Sequence, residues 1–517
     1  MKRSLLKTCS IIAGATIIFS SLSISRNPLE VQAASMRSAS EIVQEMGVGW
    51  NLGNTLDAKI TNLSYNTSPI SFETGWGNPV TTKAMIDKIK NAGFKTIRIP
   101  TTWGEHLDGN NKLNEEWVKR VKEVVDYCIA DDLYVILNTH HEGNWVIPTY
   151  AKESSVTPKL KTLWTQISEA FKDYDDHLIF ETLNEPRLEG TPYEWTGGTS
   201  ESRDVVNKYN AAALESIRKT GGNNLSRAVM MPTYAASGSS TTMNDFKVPD
   251  DKNVIASVHA YSPYFFAMDT SSNSVNTWGS SYDKYSLDVE LDSYLNTFKS
   301  KGVPVVIGEF GSINKNNTSS RAELAEYYVT AAQKRGIPCV WWDNNYAETN
   351  KGETFGLLNR STLNWYFSDI KDALIRGYKN VHPEATEDDK PSTDVTNPDS
   401  GNTKPDSGNT NPGTETTTPT DNEKISITSK INDWGGAYQA DFTLKNNTSS
   451  DINNWSFKIK KNDIVFTNYW DVKITEENGY YVVTPQAWKT TILANSSIVI
   501  SIQGTGKVIS NFEYKFD

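Results

Sequence analysis

Leu178-Ile179-Phe180-Glu181-Thr182-Leu183-Asn184-Glu185-Pro186 is a short β-forming run, nearly apolar, that stops on an asparagine, a glutamate and a proline. Seven further runs of the same kind occupy 48–52, 96–100, 133–139, 228–232, 254–259, 303–308 and 337–342. Helical stretches separate them. In Glu115–Ile129 the residues Val118, Val121, Val124, Val125 and Cys128 recur at helical spacing, and 321–333 is a second amphipathic segment. Strands this uniformly apolar have no face to give to water. Eight of them alternating with helices predict an α/β fold, a closed parallel (β/α)8 TIM barrel. An open doubly wound sheet is the competing arrangement, but no glycine-rich dinucleotide fingerprint follows the first strand.

In a parallel barrel the reactive groups collect at the C-terminal ends of the strands. Those ends carry Arg98, then Asn138-Thr139-His140-His141-Glu142, Asn184-Glu185, His259-Ala260-Tyr261, Gly308-Glu309-Phe310-Gly311 and Trp341-Trp342-Asp343. Three of the chain's 6 histidines sit there. A carboxylate that ends an apolar strand is costly unless it faces a polar cavity with partners. Glu185 and Glu309 aimed at one mouth would be equipped to break a glycosidic bond, one giving a proton to the leaving oxygen, the other attacking or activating water. His140-His141-Glu142 invites a metal reading. The helical zinc motif needs a second histidine where this chain has Trp145, so no metal and no cofactor are expected. Trp341 and Trp342 cannot face the same way on one strand. One is expected to pack outward and the other to face the mouth, where a flat ring suits a sugar face.

The rest of the chain is organised around this module. A basic start (Lys2, Arg3, Lys7), an apolar run from Ile11 to Leu22 and Val31-Gln32-Ala33-Ala34 read as a secretory signal peptide over 1–34, too short for a membrane span. The barrel is expected over 35–382. Residues 383–422 are rich in Pro, Thr, Asn, Asp, Gly and Ser, and repeat Pro398-Asp399-Ser400-Gly401-Asn402-Thr403 at Pro405-Asp406-Ser407-Gly408-Asn409-Thr410, which reads as a linker. Residues 423–517 show short alternating runs between turn residues, the pattern of an all-β sandwich. The chain is 517 residues long with 51 basic and 62 acidic side chains, a net charge of -11. That balance repels phosphate backbones and disfavours nucleic acid as a partner. The mean hydropathy of -0.51 excludes a polytopic membrane protein. Besides Cys9, only Cys128 and Cys339 are present, and the barrel would place them too far apart to bridge.

Gly49-Trp50-Asn51-Leu52-Gly53-Asn54-Thr55-Leu56-Asp57, Arg98-Ile99-Pro100, Asn184-Glu185-Pro186, His259-Ala260-Tyr261 and Gly308-Glu309-Phe310-Gly311 resemble glycoside hydrolase family 5, in particular the clostridial endoglucanases of its fourth subfamily. The resemblance implies a retaining double displacement, with Glu185 as acid/base and Glu309 as nucleophile. It implies that Arg98 and Tyr261 orient the nucleophile, that Asn184 holds the 2-hydroxyl of the sugar being cleaved, and that His259 supports the carboxylates. His140, His141 and Asn51 would contact sugar, and Trp342 would be its platform. Attack needs an ionised Glu309, whereas Glu185 must keep a proton near neutral pH and so needs a raised pKa. The tail is similar to carbohydrate-binding module family 2. Trp434, Trp470 and Trp488 match its exposed, cellulose-binding positions, and Trp455 its buried one. The implied protein is a secreted, monomeric endo-β-1,4-glucanase acting on cellulose and related β-glucans, without a dockerin. A xyloglucanase, xylanase or β-mannanase on the same barrel, or a non-catalytic polysaccharide binder, are the alternatives.

Overall fold

The computed structural model describes residues 36–349, 351–383, 424–433, 437–461, 465–469, 472–486, 490–505 and 514–516. It divides into two compact units. The expected leader, most of the expected linker, and Trp434, Trp470 and Trp488 lie outside the described residues.

The first unit is a closed barrel of eight parallel strands in sequential order: β1 Val48–Leu52, β2 Thr96–Ile99, β3 Tyr134–Asn138, β4 Leu178–Glu181, β5 Val229–Ser237, β6 Val254–His259, β7 Val305–Phe310 and β8 Cys339–Asp343. β8 closes on β1 through the pairs from Val48↔Cys339 to Leu52↔Asp343. Helices including Glu115–Ile129, Tyr150–Phe171, Ser200–Lys219 and Thr318–Lys334 connect the strands. The expected helix over Glu115–Ile129 is capped at its start by Asn114, whose side chain accepts from the amides of Glu116 and Trp117.

Strand alternation sorts the side chains into two sets. Val135, Leu137, Phe180, Val258 and Ile307 belong to the large cluster shared with the helices. Ile136, Ile179, Met230, Ile255, Val306 and Val340 fill the interior, with Ile42 and Val43 of the helix Ala39–Glu45 in the same cluster. The next inward positions toward the C-terminal ends are Asn51, Arg98, Asn138, Glu181 and Ser257, all buried and polar. An apolar plug thus supports a polar floor. Cys128 and Cys339 are buried free thiols on a helix and on β8.

β7 breaks the alternation. Val258 pairs with Ile307, but the next pair is His259↔Glu309. The extra residue, Gly308, re-aims the strand so that Glu309 turns inward. A Cβ on Gly308 would lie 3.2 Å from His259 Nε2, so the glycine also clears room for the imidazole.

The second unit is all β. One antiparallel sheet orders Ile425–Asp433, Ala437–Asn446, Ser497–Thr505 and Val465–Tyr469, and the other orders Val472–Glu477, Tyr480–Pro485, Phe457–Lys460 and Tyr514–Phe516. Phe442, Ile500 and Ile502 of the first share a core with Phe457, Tyr481 and Val483 of the second, which makes a sandwich. Trp455 is 2% exposed in that core.

Candidate active site

Arg98 organises the barrel mouth. Its Nε donates to Glu181 Oε2 at 2.8 Å, Nη1 to Asn51 Oδ1 at 3.0 Å and to Glu309 Oε1 at 2.7 Å, and Nη2 to Asn184 Oδ1 at 2.7 Å. A fully buried guanidinium needs such partners. Glu181 also accepts from Asn138 Nδ2 at 3.1 Å and from Ser257 Oγ at 2.7 Å, so β2, β3, β4 and β6 are tied together beneath the groove.

Glu309 receives Arg98 on Oε1 and the Tyr261 hydroxyl on Oε2, the latter at 2.8 Å. Those are the donors of an ionised carboxylate. Burial raises its carboxyl above the usual range, against the pull of His259 and Arg98. Glu185, just beyond β4, has Oε1 2.7 Å from His259 Nδ1, and the same nitrogen is 3.5 Å from Glu309 Oε2. One ligating atom from each of Glu185, His259 and Glu309 lies within 4.8 Å of the others. Double displacement uses carboxyl groups roughly 5–5.5 Å apart and inversion roughly 6.5–9.5 Å, and these atoms approach on the short side of that divide.

The electrostatics differ from the expectation that Glu185 has a raised pKa. Burial favours that rise, but the hydrogen bond and charge of His259, with Arg187 and Arg98, outweigh it and hold the carboxyl below its usual range. Burial disfavours a charged His259, yet Glu309 and Glu185 raise its pKa. One hydrogen bond joins His259 and Glu185, so the proton for the leaving oxygen is shared between them. The three groups titrate as a unit.

Trp342 and His140 form an apolar wall, their rings parallel to within 2° and 5.7 Å apart. Trp342 faces the mouth at 9% exposure, while Trp341 is fully buried and donates to the Phe355 carbonyl. Burial holds the His140 imidazole well below its ordinary pKa, and drives His141 down to about 4, so both are neutral. Asn51 is placed differently from the sugar contact expected of it. It is fully buried, its amide donates to Gly308 O at 3.0 Å, and its oxygen accepts from Arg98. It braces Arg98 because β1 alternation turns it to the barrel interior, below the groove. Glu142 turns away from the two histidines: it accepts from the amides of Trp103 and Gly104 at 2.6 and 3.0 Å. Asp57, His140 and His141 do gather three potential ligand atoms within 4.8 Å. The Asp57 oxygens are held by the backbone amides of Asn54 and Thr55, at 3.0 and 2.6 Å.

Sequence reasoning gave no role to Glu181, Asn138, Trp76 or Arg187. Glu181 carried a signal, a charge inside an apolar strand. Trp76, whose ring lies 5.4 Å from that of His141, and Arg187 come from loops and carried none.

The family description "Cellulase (glycosyl hydrolase family 5)" matches residues 57–348, and "Cellulose binding domain" matches 426–513. The chain is 50% identical over 359 residues to Cellulase/esterase CelE of Acetivibrio thermocellus, covering 69% of this chain and 42% of that protein. It therefore spans less than half of that relative. It is 49% identical over 344 residues to Endoglucanase B of Clostridium cellulovorans, covering 66% of this chain and 76% of that one. A solved GH5-4 broad specificity endoglucanase from Clostridium longisporum superposes with a TM-score of 0.67 at 99% identity, over 67% of this chain and 100% of that one. With the barrel, the polar floor and the paired glutamates, these matches place the chain in glycosyl hydrolase family 5, followed by a cellulose-binding domain.

Proposed function

We propose that the chain is a secreted endo-β-1,4-glucanase that cleaves internal β-glucosidic bonds with retention and is brought to cellulose by its C-terminal sandwich. The observation that carries the reading is the close approach of Glu185 and Glu309 across His259. Glu309, steadied by Arg98 and Tyr261, attacks the anomeric carbon while Glu185 passes the proton it shares with His259 to the leaving oxygen. Glu185 then draws a proton from water, which releases the sugar from Glu309. With its oxygen accepting from Arg98, Asn184 has its amide nitrogen left to donate to the 2-hydroxyl. Trp342 and His140 carry the sugar face. Residues 1–34 direct export, and 383–422 tether the two folded parts. The breadth named for the relative from Clostridium longisporum supports action on several β-glucans.

The test is reducing-sugar release from soluble carboxymethylcellulose by wild type, Glu185→Gln and Glu309→Gln. Glu185→Gln should lose about 10²–10⁴-fold in rate, the worth of a general acid/base, and Glu309→Gln at least as much. Equal rates in all three, or a product of inverted anomeric configuration by NMR, would overturn the assignment.

A further inference from the structure

Arg187 follows Glu185 by two residues and is built into the loop between β4 and the helix Ser200–Lys219. Its Nη1 donates to the carbonyl of Glu185 at 3.1 Å and lies 3.6 Å from Glu185 Oε2, the oxygen that His259 leaves unused. Its Nε donates to Glu194 Oε1 at 3.0 Å, and Nη2 lies 3.6 Å from Glu189 Oε1. The other Glu194 oxygen accepts from the Gly190 amide at 2.8 Å, which closes the loop on itself. Glu189 is pressed against Gly143, where a Cβ would come within 1.9 Å of its carboxylate. The Trp195 ring covers the guanidinium with its centroid 4.4 Å from Cζ, although Trp195 itself is 62% exposed. A cation is thus clamped from four sides beside the one free oxygen of Glu185, too far to be its hydrogen-bond donor and close enough for its field to act.

We propose that Arg187 is a positioning residue that stabilises the anionic form of Glu185 as it alternates between acid and base, and that Trp195 holds Arg187 to that task. The inference rests on the acid/base reading of Glu185. When the leaving oxygen takes the proton shared with His259, the full negative charge is left on Glu185 next to Arg187. The same charge must persist while Glu185 draws a proton from water in the second half-reaction. Glu185 is also faced by His259, Glu309 and Arg98 from the strands, and by Tyr261 and His141 from the strand ends. Glu194 of the same loop also acts on Glu185, and with Glu189 it loses a partner when Arg187 is replaced; its freed negative charge raises the Glu185 carboxyl in the same direction as loss of the cation.

Arg187→Met, Arg187→Lys and Trp195→Leu are compared with wild type in pH profiles of kcat/KM on soluble glucan, and of kcat on an aryl cellobioside whose good leaving group makes breakdown of the glycosyl-enzyme limiting. Without the cation the anion is less stable and the Glu185 carboxyl rises. The base limb of kcat/KM in Arg187→Met should therefore move up by about one pH unit, the low end for an opposite charge within 4–6 Å, and kcat on the aryl substrate near pH 6 should fall about tenfold. Arg187→Lys keeps the charge and should return the limb toward wild type. Trp195→Leu alters an exposed ring, so it serves if the Met variant does not fold, and should shift the limb in the same direction by less. Limbs that stay in place in both variants overturn the proposal, even if the rate falls. Retained activity in Glu185→Gln would instead remove the acid/base reading beneath it.

Discussion

Replacing Glu181 by glutamine removes one charge from the floor of the site and leaves its shape. Glu181 is fully buried, and its three donors come from Arg98, Asn138 and Ser257. The glutamine oxygen can still accept from Arg98, and the Ser257 hydroxyl can turn to accept from the new amide. What disappears is half of a buried ion pair, for which removal of one partner costs about 3–5 kcal/mol. Arg98 keeps Glu309, Asn51 and Asn184, so we place the loss at about 2–3 kcal/mol. For roughly 350 residues of barrel, the unfolding entropy is about 0.7 kcal/mol/K, and the midpoint should fall by about 3–4 °C. Scanning calorimetry of the full chain, following the barrel transition, measures it. A second consequence has a definite sign. With Glu181 neutral, a nearby negative charge is gone and the field of Arg98 falls on Glu309 alone. Both effects favour the Glu309 anion, so the acid limb of kcat/KM should move to lower pH. An unchanged midpoint together with an acid limb that stays or rises would refute the idea that Glu181 and Glu309 share one cation.

The wild-type profile of kcat/KM should be bell-shaped. Attack is lost as pH falls through the Glu309 carboxyl, so the acid limb should lie above the ordinary 4.5; the shared proton is lost as pH rises through His259, so the base limb should lie above the ordinary 6.5. An acid limb at or below the ordinary carboxylate value, measured on soluble glucan, would contradict this. Removing 423–517 should weaken adsorption to crystalline cellulose at least tenfold, equivalent to about 1.4 kcal/mol, while hydrolysis of soluble glucan persists; a binding isotherm that does not change would exclude a targeting role for the sandwich.

The eight strands were legible because each is a closed run of β-formers between polar breaks, and period alone separates them from the helices. Their ends were less so. β5 runs on to Ser237 and β7 to Phe310, in each case across a register shift that a run of apolar residues does not mark. Glu185, Glu309, His259 and Tyr261 could be named as strand-end residues that a barrel must gather. Asn51 could not be separated from them, since a strand-end asparagine reads the same whether it faces the groove or braces an arginine beneath it. The inward turn of Glu309 depends on one extra residue in β7, and a register shift leaves no mark in composition. Arg187 and Trp76 are set by loop paths, which local sequence does not encode. The buried position of Trp455 came from the resemblance of the tail to carbohydrate-binding module family 2, and it shares the core of the sandwich with Phe457.

The polar floor also explains how charge can move above it without being lost or gained. Arg98 and His259 face Glu181, Glu309 and Glu185, with one proton shared between His259 and Glu185 and an apolar plug below. In such surroundings any change in net charge is expensive. In the proposed first step Glu309 loses its charge to an ester as the proton shared by His259 and Glu185 goes to the departing oxygen and leaves a full charge on Glu185. The second step reverses the exchange. Charge passes between two oxygens already surrounded by Arg98, His259 and Tyr261, so the fixed dipoles need not reorganise as the bond breaks, which is the condition under which electrostatic preorganisation lowers a barrier most. The close approach of the two glutamates therefore serves the energetics of the site as well as its stereochemistry. A pair drawn further apart would have to build and dissipate charge at two separately solvated positions.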